Sequence, residues 1–125
     1  MNKIRMIALA ACMAATLDAA AQEQEIRLFS HRGGRMEHDE NTLSAFQASY
    51  DAGYRGFETD IRMTRDGALV ITHDSSLERT TDGTGTVEEK TEAEIRQLAT
   101  KQGNKMMFLD ELLEFLKGKE GLYVE

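Results

Sequence analysis

Apolar positions along the chain predict alternating strands and helices. Residues 26–30 form a short apolar run, which predicts a buried strand ending at His31. A helix is predicted next, and Gly53 ends it. Its apolar positions at helical spacing are Leu43, Phe46 and Tyr50, and its candidate caps are Asn41 and Thr42.

A second strand is predicted over residues 55–61, where side chains alternate between two faces. Phe57, Thr59 and Ile61 share one face, and Glu58 and Asp60 share the other. Residues 64–67 predict a hairpin turn, because Gly67 tolerates a positive φ after an aspartate. The turn leads into a third strand, 68–72, which presents His73 at its end.

The second half of the chain predicts two helices and one more strand. Thr91–Glu94 is a capping box that opens a helix with Ile95 and Leu98 turned inward. Asp110 opens the next helix, Gly118 ends it, and a strand begins at residue 122. The apolar side of that helix is expected to carry Leu112, Leu113 and Leu116.

Strands separated by helices predict an α/β fold with a parallel sheet and crossover helices. In barrels of this type the active site lies at the carboxyl ends of the strands. The polar candidates His31, Glu58, Asp60 and His73 all fall at such ends, or on a strand that leads to one.

Residues 1–21 are typical of an export signal: a basic start, a short apolar run that cannot span a bilayer, and an alanine cleavage site. We expect export to the periplasm or the extracellular space, with a mature domain over 22–125. Residues 9–12 also resemble a lipoprotein box, so a lipid anchor at Cys12 is the alternative. No transmembrane span is expected.

The net charge of the mature domain limits the classes of partner that it is expected to bind. Without the leader it holds 13 basic and 21 acidic residues, a net charge of −8. Nucleic acid, whose phosphates attract basic surfaces, is therefore not an expected partner. Cys12 is the only cysteine, so the mature chain cannot form an internal disulfide.

Glu58 and Asp60 form the clearest chemical constellation. Their Cα atoms are expected roughly 6.5 Å apart on one strand face, a span that suits two carboxylates on one hard cation. Oxygen ligands favour Mg2+ or Ca2+ over zinc. The alternative is a solvated strand face.

His31 and His73 are candidates for a general acid and a general base, because a histidine side chain can give or take a proton near neutral pH, although either can be structural. Arg32 can hold a phosphate oxygen or pair with a carboxylate such as Glu40. Glu40 itself can support the metal or Arg32, and Asn41 can support the site or only cap the helix. The loop over 80–86 can cradle a phosphate or serve as a turn.

These motifs together resemble one family, the glycerophosphodiester phosphodiesterases, which are related to the phosphatidylinositol phospholipase C barrels. The matching stretches are His31-Arg32-Gly33, Glu40-Asn41-Thr42, Ala45-Phe46, Glu58-Thr59-Asp60, Thr64-Arg65-Asp66-Gly67, His73-Asp74 and Leu77-Glu78-Arg79-Thr80-Thr81. Their order and spacing both fit.

The resemblance implies a (β/α)8 TIM barrel, of which this chain holds the N-terminal half. It also implies a divalent cation and hydrolysis of a small glycerophosphodiester to an alcohol and glycerol 3-phosphate. By position, His31 and His73 match the acid/base pair, Glu58 and Asp60 the metal ligands, and Arg32 the phosphate-binding arginine. Glu40 and Asn41 match supporting positions.

Two departures from the family are visible. Asp39 stands where the family usually has proline, and the sequence stops at Glu125, about halfway through the barrel. Glu125 is either a third metal carboxylate or lies two positions before it. Two alternatives follow: a truncated, non-catalytic fragment that binds phosphate or metal, and a lyase that releases a cyclic phosphate. Residues 22–125 alone are expected to show little turnover.

Overall fold

The structure, a computed structural model, describes residues 26–119 and 121–124. The expected leader over 1–21, the alternative lipid attachment at Cys12 and the candidate ligand Glu125 lie outside the described residues.

The described chain forms five strands, three helices and one 3₁₀ turn. In chain order these are β1 Phe29–His31, α1 Leu43–Asp51, β2 Gly56–Thr59, β3 Ile61–Met63, β4 Leu69–Ile71, the 3₁₀ turn Val87–Glu89, α2 Glu92–Ile95, α3 Leu109–Leu116 and β5 Leu122–Val124. No helix in the described part of the chain is long and apolar enough to cross a bilayer.

Three strands form a parallel sheet in the order β1-β2-β5, as the alternation of strands and helices predicted. Ser30 lies opposite Phe57, and His31 lies opposite Glu58. Partners in register point to the same face of a sheet. The register therefore sets His31 and Glu58 side by side near the carboxyl ends of their strands.

The prediction of one strand over 55–61 was wrong. β2 ends at Thr59, and β3 starts a separate antiparallel hairpin in which Ile61 pairs with Ile71. The predicted turn is confirmed, since the Thr64 hydroxyl accepts the Ala68 amide at 2.9 Å. A turn this short can join only antiparallel strands. As a result, His73 follows a hairpin strand and not a strand of the parallel sheet.

β4 separates two hydrophobic cores, because successive residues of a strand face opposite sides. Val70 belongs to one core and Ile71 to the other. The first core contains Val70, Leu77, Val87, Ile95, Met106 and Phe108, and the second contains Phe46, Phe57, Ile71, Met107 and Leu112. The segment after β4 therefore has a core of its own, which fixes the chain that carries His73.

Helix caps agree with the sequence, but two helical faces differ from it. Thr42 caps α1 by accepting the Ala45 amide at 3.3 Å, and the capping box at Thr91 is confirmed. Leu43 and Leu113, both expected inside, are each 53 % exposed. At 100° per residue each lies about 90–110° from the centre of the buried arc of its helix. α3 also begins at Leu109, one residue before the predicted start.

Candidate active site

The loop between β1 and α1 turns sharply at its start. Arg32 has φ +52° and Gly33 has φ +74°, both in the left-handed region. This turn aims the Arg32 amide at β2, where it donates to the Glu58 carbonyl at 3.0 Å and to Glu58 Oε2 at 3.1 Å. A non-glycine residue in this region costs of order 1–3 kcal/mol, and such strain often marks functional sites.

Gly33 should tolerate no side chain. A Cβ there would lie 2.9 Å from Ala45 Cβ and 3.0 Å from the Phe46 amide nitrogen, in a backbone conformation that alanine disfavours. We expect Gly33→Ala to lower the free energy of unfolding by about 2–4 kcal/mol in a urea titration. Gly67→Ala is the control, because that glycine has φ +92° but open space around it, so only about 1 kcal/mol is expected. Equal losses would show that the contact with α1 contributes nothing.

Glu58 and Asp60 are buried, each at 8 % exposure. Between them Thr59 faces away and donates to Asn41 Oδ1 at 2.9 Å. Among the described residues, Glu58 Oε1 and Asp60 Oδ2 have no hydrogen-bond partner. The solvated strand face that was the alternative is therefore wrong, and two buried carboxylates this close are costly without positive charge to balance them.

The donor set fits a hard divalent cation, since carboxylate oxygens are the ligands that Mg2+ and Ca2+ prefer. No group of three or more His, Cys, Asp or Glu side chains in the described residues could hold a metal ion. Within those residues, Glu58 and Asp60 would be two of the ligands of such a cation.

Arg32 lies under this pair with its guanidinium buried. Its Nε is 3.1 Å from Asp60 Oδ2, and its Nη1 is 3.4 Å from Glu40 Oε1. The Nε contact is close enough for an ion pair but is not aligned as a hydrogen bond. The ion pair that the sequence left open therefore exists, and a role in phosphate binding would be additional to it.

His31 is half exposed at the end of β1. Its Nε2 lies 3.6 Å from Glu58 Oε2, and 48 % of its side chain is accessible. The histidine thus borders the carboxylate pair and also faces solvent, where a substrate can arrive.

His73 is held at two points. Its Nδ1 is 2.6 Å from Asp74 Oδ1, and its backbone carbonyl accepts Arg62 Nε at 2.8 Å. A hydrogen bond from Arg79, and then the one from His73, lower the pKa of the Asp74 carboxyl to about 2. Asp74 is therefore an anion at neutral pH, and the His73 ring must supply the proton between them.

Arg79 is the site residue that sequence reasoning missed. It donates to both Glu40 oxygens, at 3.0 and 2.8 Å, and also to Asp74. The Arg79 hydrogen bond is the largest cause that lowers the pKa of Glu40, and both carboxylates raise the pKa of Arg79. Its only signal was its position within the matching stretch 77–81, which assigned it no role.

Glu40 and Asn41 also receive definite places. Glu40 forms ion pairs with Arg32 and Arg79. The contact with Arg32 is one of the two roles expected from the sequence. Asn41 does not cap α1. It has φ +59°, and its Oδ1 accepts from Thr59, while its side-chain Nδ2 has no hydrogen-bond partner among the described residues.

The loop over 80–86 is a turn and not an open cradle. Thr81 pairs with Thr100, and Thr86 pairs with Ser76. The Gly85 amide donates to Glu78 at 2.8 Å, so this amide is not free to bind a phosphate.

The connected cluster carries excess negative charge. Among the described residues, its four carboxylates are Glu40, Glu58, Asp60 and Asp74, and its two guanidinium groups are Arg32 and Arg79. With neutral histidines the sum is −2, which one divalent cation would cancel. Charge balance therefore agrees with the donor set.

Acid should weaken the contribution of Asp74 to stability. Its pKa is about 2 in the folded chain, against about 3.9 for an unfolded aspartate, so its contribution is complete above pH 4 and is lost as pH falls to 2. Asp74→Asn should lower the free energy of unfolding at pH 6, and its difference from the wild type should shrink between pH 4 and pH 2. Urea titrations across this range test it, with Asp51→Asn on the exposed side of α1 as control. A difference independent of pH would contradict it.

Comparison with known proteins shows the family of the chain. The sequence model of the glycerophosphoryl diester phosphodiesterase family matches residues 31–123. The chain belongs to this family. It is 41 % identical over 71 residues to a glycerophosphodiester phosphodiesterase of Caldanaerobacter subterraneus, covering 57 % of this chain and 29 % of that protein. It is 40 % identical over 82 residues to human glycerophosphodiester phosphodiesterase 1, covering 66 % and 25 %.

Solved structures of the family give the same result for the fold. A glycerophosphodiester phosphodiesterase from Agrobacterium tumefaciens superposes with a TM-score of 0.76 at 34 % identity, over 80 % of this chain and 46 % of that one. A phosphodiesterase from Oleispira antarctica, solved with the product sn-glycerol-3-phosphate, superposes at 0.74 and 31 % identity, over 79 % and 43 %. The described residues thus form part of the predicted (β/α)8 barrel. The chain spans 25–29 % of these curated relatives and under half of these solved chains.

Proposed function

We propose that the protein hydrolyses a glycerophosphodiester to an alcohol and glycerol 3-phosphate. The observation that carries the proposal is the buried pair Glu58 and Asp60, bordered by His31 at 3.6 Å from Glu58 Oε2, in a member of this family. The related Oleispira enzyme, which was solved with sn-glycerol-3-phosphate as its product, supports the choice of substrate.

Glu58 and Asp60 would hold the divalent cation, Mg2+ or Ca2+, on which this family generally depends. When bound, such a cation stabilises the negative charge that grows on the phosphoryl oxygens. Arg32 compensates the Asp60 charge from below and is proposed to bind a phosphate oxygen as well.

His31 and His73 are proposed as the acid/base pair. One histidine takes a proton from the nucleophile, which is either a water molecule or the neighbouring hydroxyl group of the substrate's glycerol. The other gives a proton to the leaving alcohol. Both rings are about half exposed, so a substrate can reach them.

The test is release of glycerol 3-phosphate by the protein at its natural length. Glycerophosphocholine and glycerophosphoethanolamine are incubated with Mg2+ or Ca2+, with EDTA as the metal-free control, and products are followed by phosphorus NMR. Formation of glycerol 3-phosphate that EDTA abolishes supports the proposal. A cyclic phosphate as the final product would show a lyase instead of a hydrolase. If no diester gave any product, the remaining alternative would be a non-catalytic fragment that binds phosphate or metal.

Export is a second proposal, which rests on the sequence of residues 1–21. Mass spectrometry of the amino terminus from the native source tests it. A start at Gln22 supports soluble export, a lipid-modified Cys12 supports the anchor, and an intact Met1 contradicts both.

A further inference from the structure

Arg79 connects the loop after β1 with the loop after β4. Its guanidinium donates to both oxygens of Glu40, and its Nε donates to Asp74. Glu40 lies in the loop after β1, and Asp74 lies in the loop after β4. Glu40 also contacts Arg32, and Asp74 also contacts His73. The Arg79 side chain therefore links the surroundings of Arg32 to those of His73.

The contact with Asp74 determines where the His73 proton lies. An ionised carboxylate can only accept hydrogen bonds, so Nδ1 of the neutral ring must donate, and Nε2 is left with a free lone pair. Among the described residues, Asp74 has only two polar side-chain partners, Arg79 and His73. Arg79 is therefore what holds the carboxylate in the orientation that serves the ring.

A direct role in phosphate binding fits Arg79 less well. Its Nε, Nη1 and Nη2 each already donate to a carboxylate oxygen. Arg62 also contacts His73, but through the backbone carbonyl, which places the residue without choosing its tautomer.

We propose that Arg79 is a positioning residue, which holds Asp74 so that His73 keeps its proton on Nδ1 and presents an unprotonated Nε2 to the substrate. Its expected effect on turnover rests on the proposed function. The tautomer itself is a property of the folded chain and needs no activity.

The test reads the His73 tautomer by long-range proton–nitrogen NMR of nitrogen-15 protein at its natural length and neutral pH. The wild type should show the Nδ1–H form. Arg79→Gln should shift the ring toward the Nε2–H form and lower kcat about 10- to 100-fold, with KM changed less than about threefold. Arg79→Lys, which keeps the charge but not the fork, should restore part of both.

Arg96→Gln is the matched control. Arg96 also bridges two carboxylates, Glu92 and Glu111, but it contacts none of the site residues. It should keep the Nδ1–H form and the wild-type kcat. The same change in Arg96→Gln as in Arg79→Gln would overturn the proposal, because a general charge effect would then explain both.

The outcomes separate this proposal from the proposed function. An unchanged tautomer in Arg79→Gln overturns the positioning role, whatever the turnover, and so does a shifted tautomer with an unchanged kcat. A wild type that cleaves no diester overturns the proposed function alone, since the NMR result still decides the role of Arg79. Should circular dichroism show Arg79→Gln to be unfolded, Arg79→Lys decides: a partial shift supports the role, and the wild-type spectrum and kcat overturn it.

Discussion

Glu58→Gln should reduce kcat/KM by about 10³-fold or more, which corresponds to about 4 kcal/mol of lost transition-state stabilisation. The amide is almost isosteric, but it removes one of the two buried negative charges proposed to hold the cation. Affinity for Mg2+ or Ca2+ should fall in parallel. Steady-state kinetics over a range of cation concentrations and calorimetric titration of the metal-free protein measure both effects.

The same substitution should not destabilise the fold. Glu58 Oε1 is buried without a hydrogen-bond partner among the described residues, so the native chain keeps a charge in a costly place. Removing that charge in the metal-free protein should leave the free energy of unfolding unchanged or raise it by about 1 kcal/mol. Opposite changes in activity and stability would identify Glu58 as a residue kept for function.

Glu114→Gln controls for the loss of one carboxylate. Its side chain is 77 % exposed, and its ion pair with Lys117 spans 3.8 Å. It should change neither kcat/KM nor cation affinity. If Glu58→Gln kept wild-type cation affinity, the proposed ligand role would be wrong. If it lowered stability by several kcal/mol, the buried carboxylate would instead be a structural group.

The parallel sheet and half of the site could be predicted because their signals are local. A strand that ends at His31 and another that carries Glu58 need only run parallel for the two residues to meet, and the register confirms that they do. The break after Thr59 had no such signal. Polar and apolar residues continue to alternate through Ile61, and only its pairing with Ile71 shows that the chain has left the sheet.

The part of the site that was missed depends on contacts distant in sequence. Arg79 lies 39 residues from Glu40 and five from Asp74, and neither interval is a spacing of regular secondary structure. Its place follows from the folding of two loops against each other. The same reason explains Leu113: helical spacing shows which residues share a face, but only the packing of α3 on the second core shows which face is buried.

His31→Asn and His73→Asn should each lower kcat by about 10²–10⁴-fold, the usual contribution of a general acid or base. The two losses should differ in their dependence on the leaving group. A diester of glycerol 3-phosphate with 4-nitrophenol has a leaving group that departs without a proton, so it needs a base but no acid. The variant that lacks the general acid should recover most of its rate on this substrate, and the variant that lacks the base should not.

His38→Asn is the control, because His38 lies in the loop after β1 and has no part in the proposed chemistry. It should leave both substrates unaffected. Losses below about tenfold in His31→Asn and His73→Asn would exclude the acid/base pair. Recovery by His73→Asn would make His73 the acid, which must hold a proton on Nε2 when the alcohol leaves. Recovery by His31→Asn would make His73 the base, a role that suits an unprotonated Nε2 on a ring whose Nδ1 donates to Asp74.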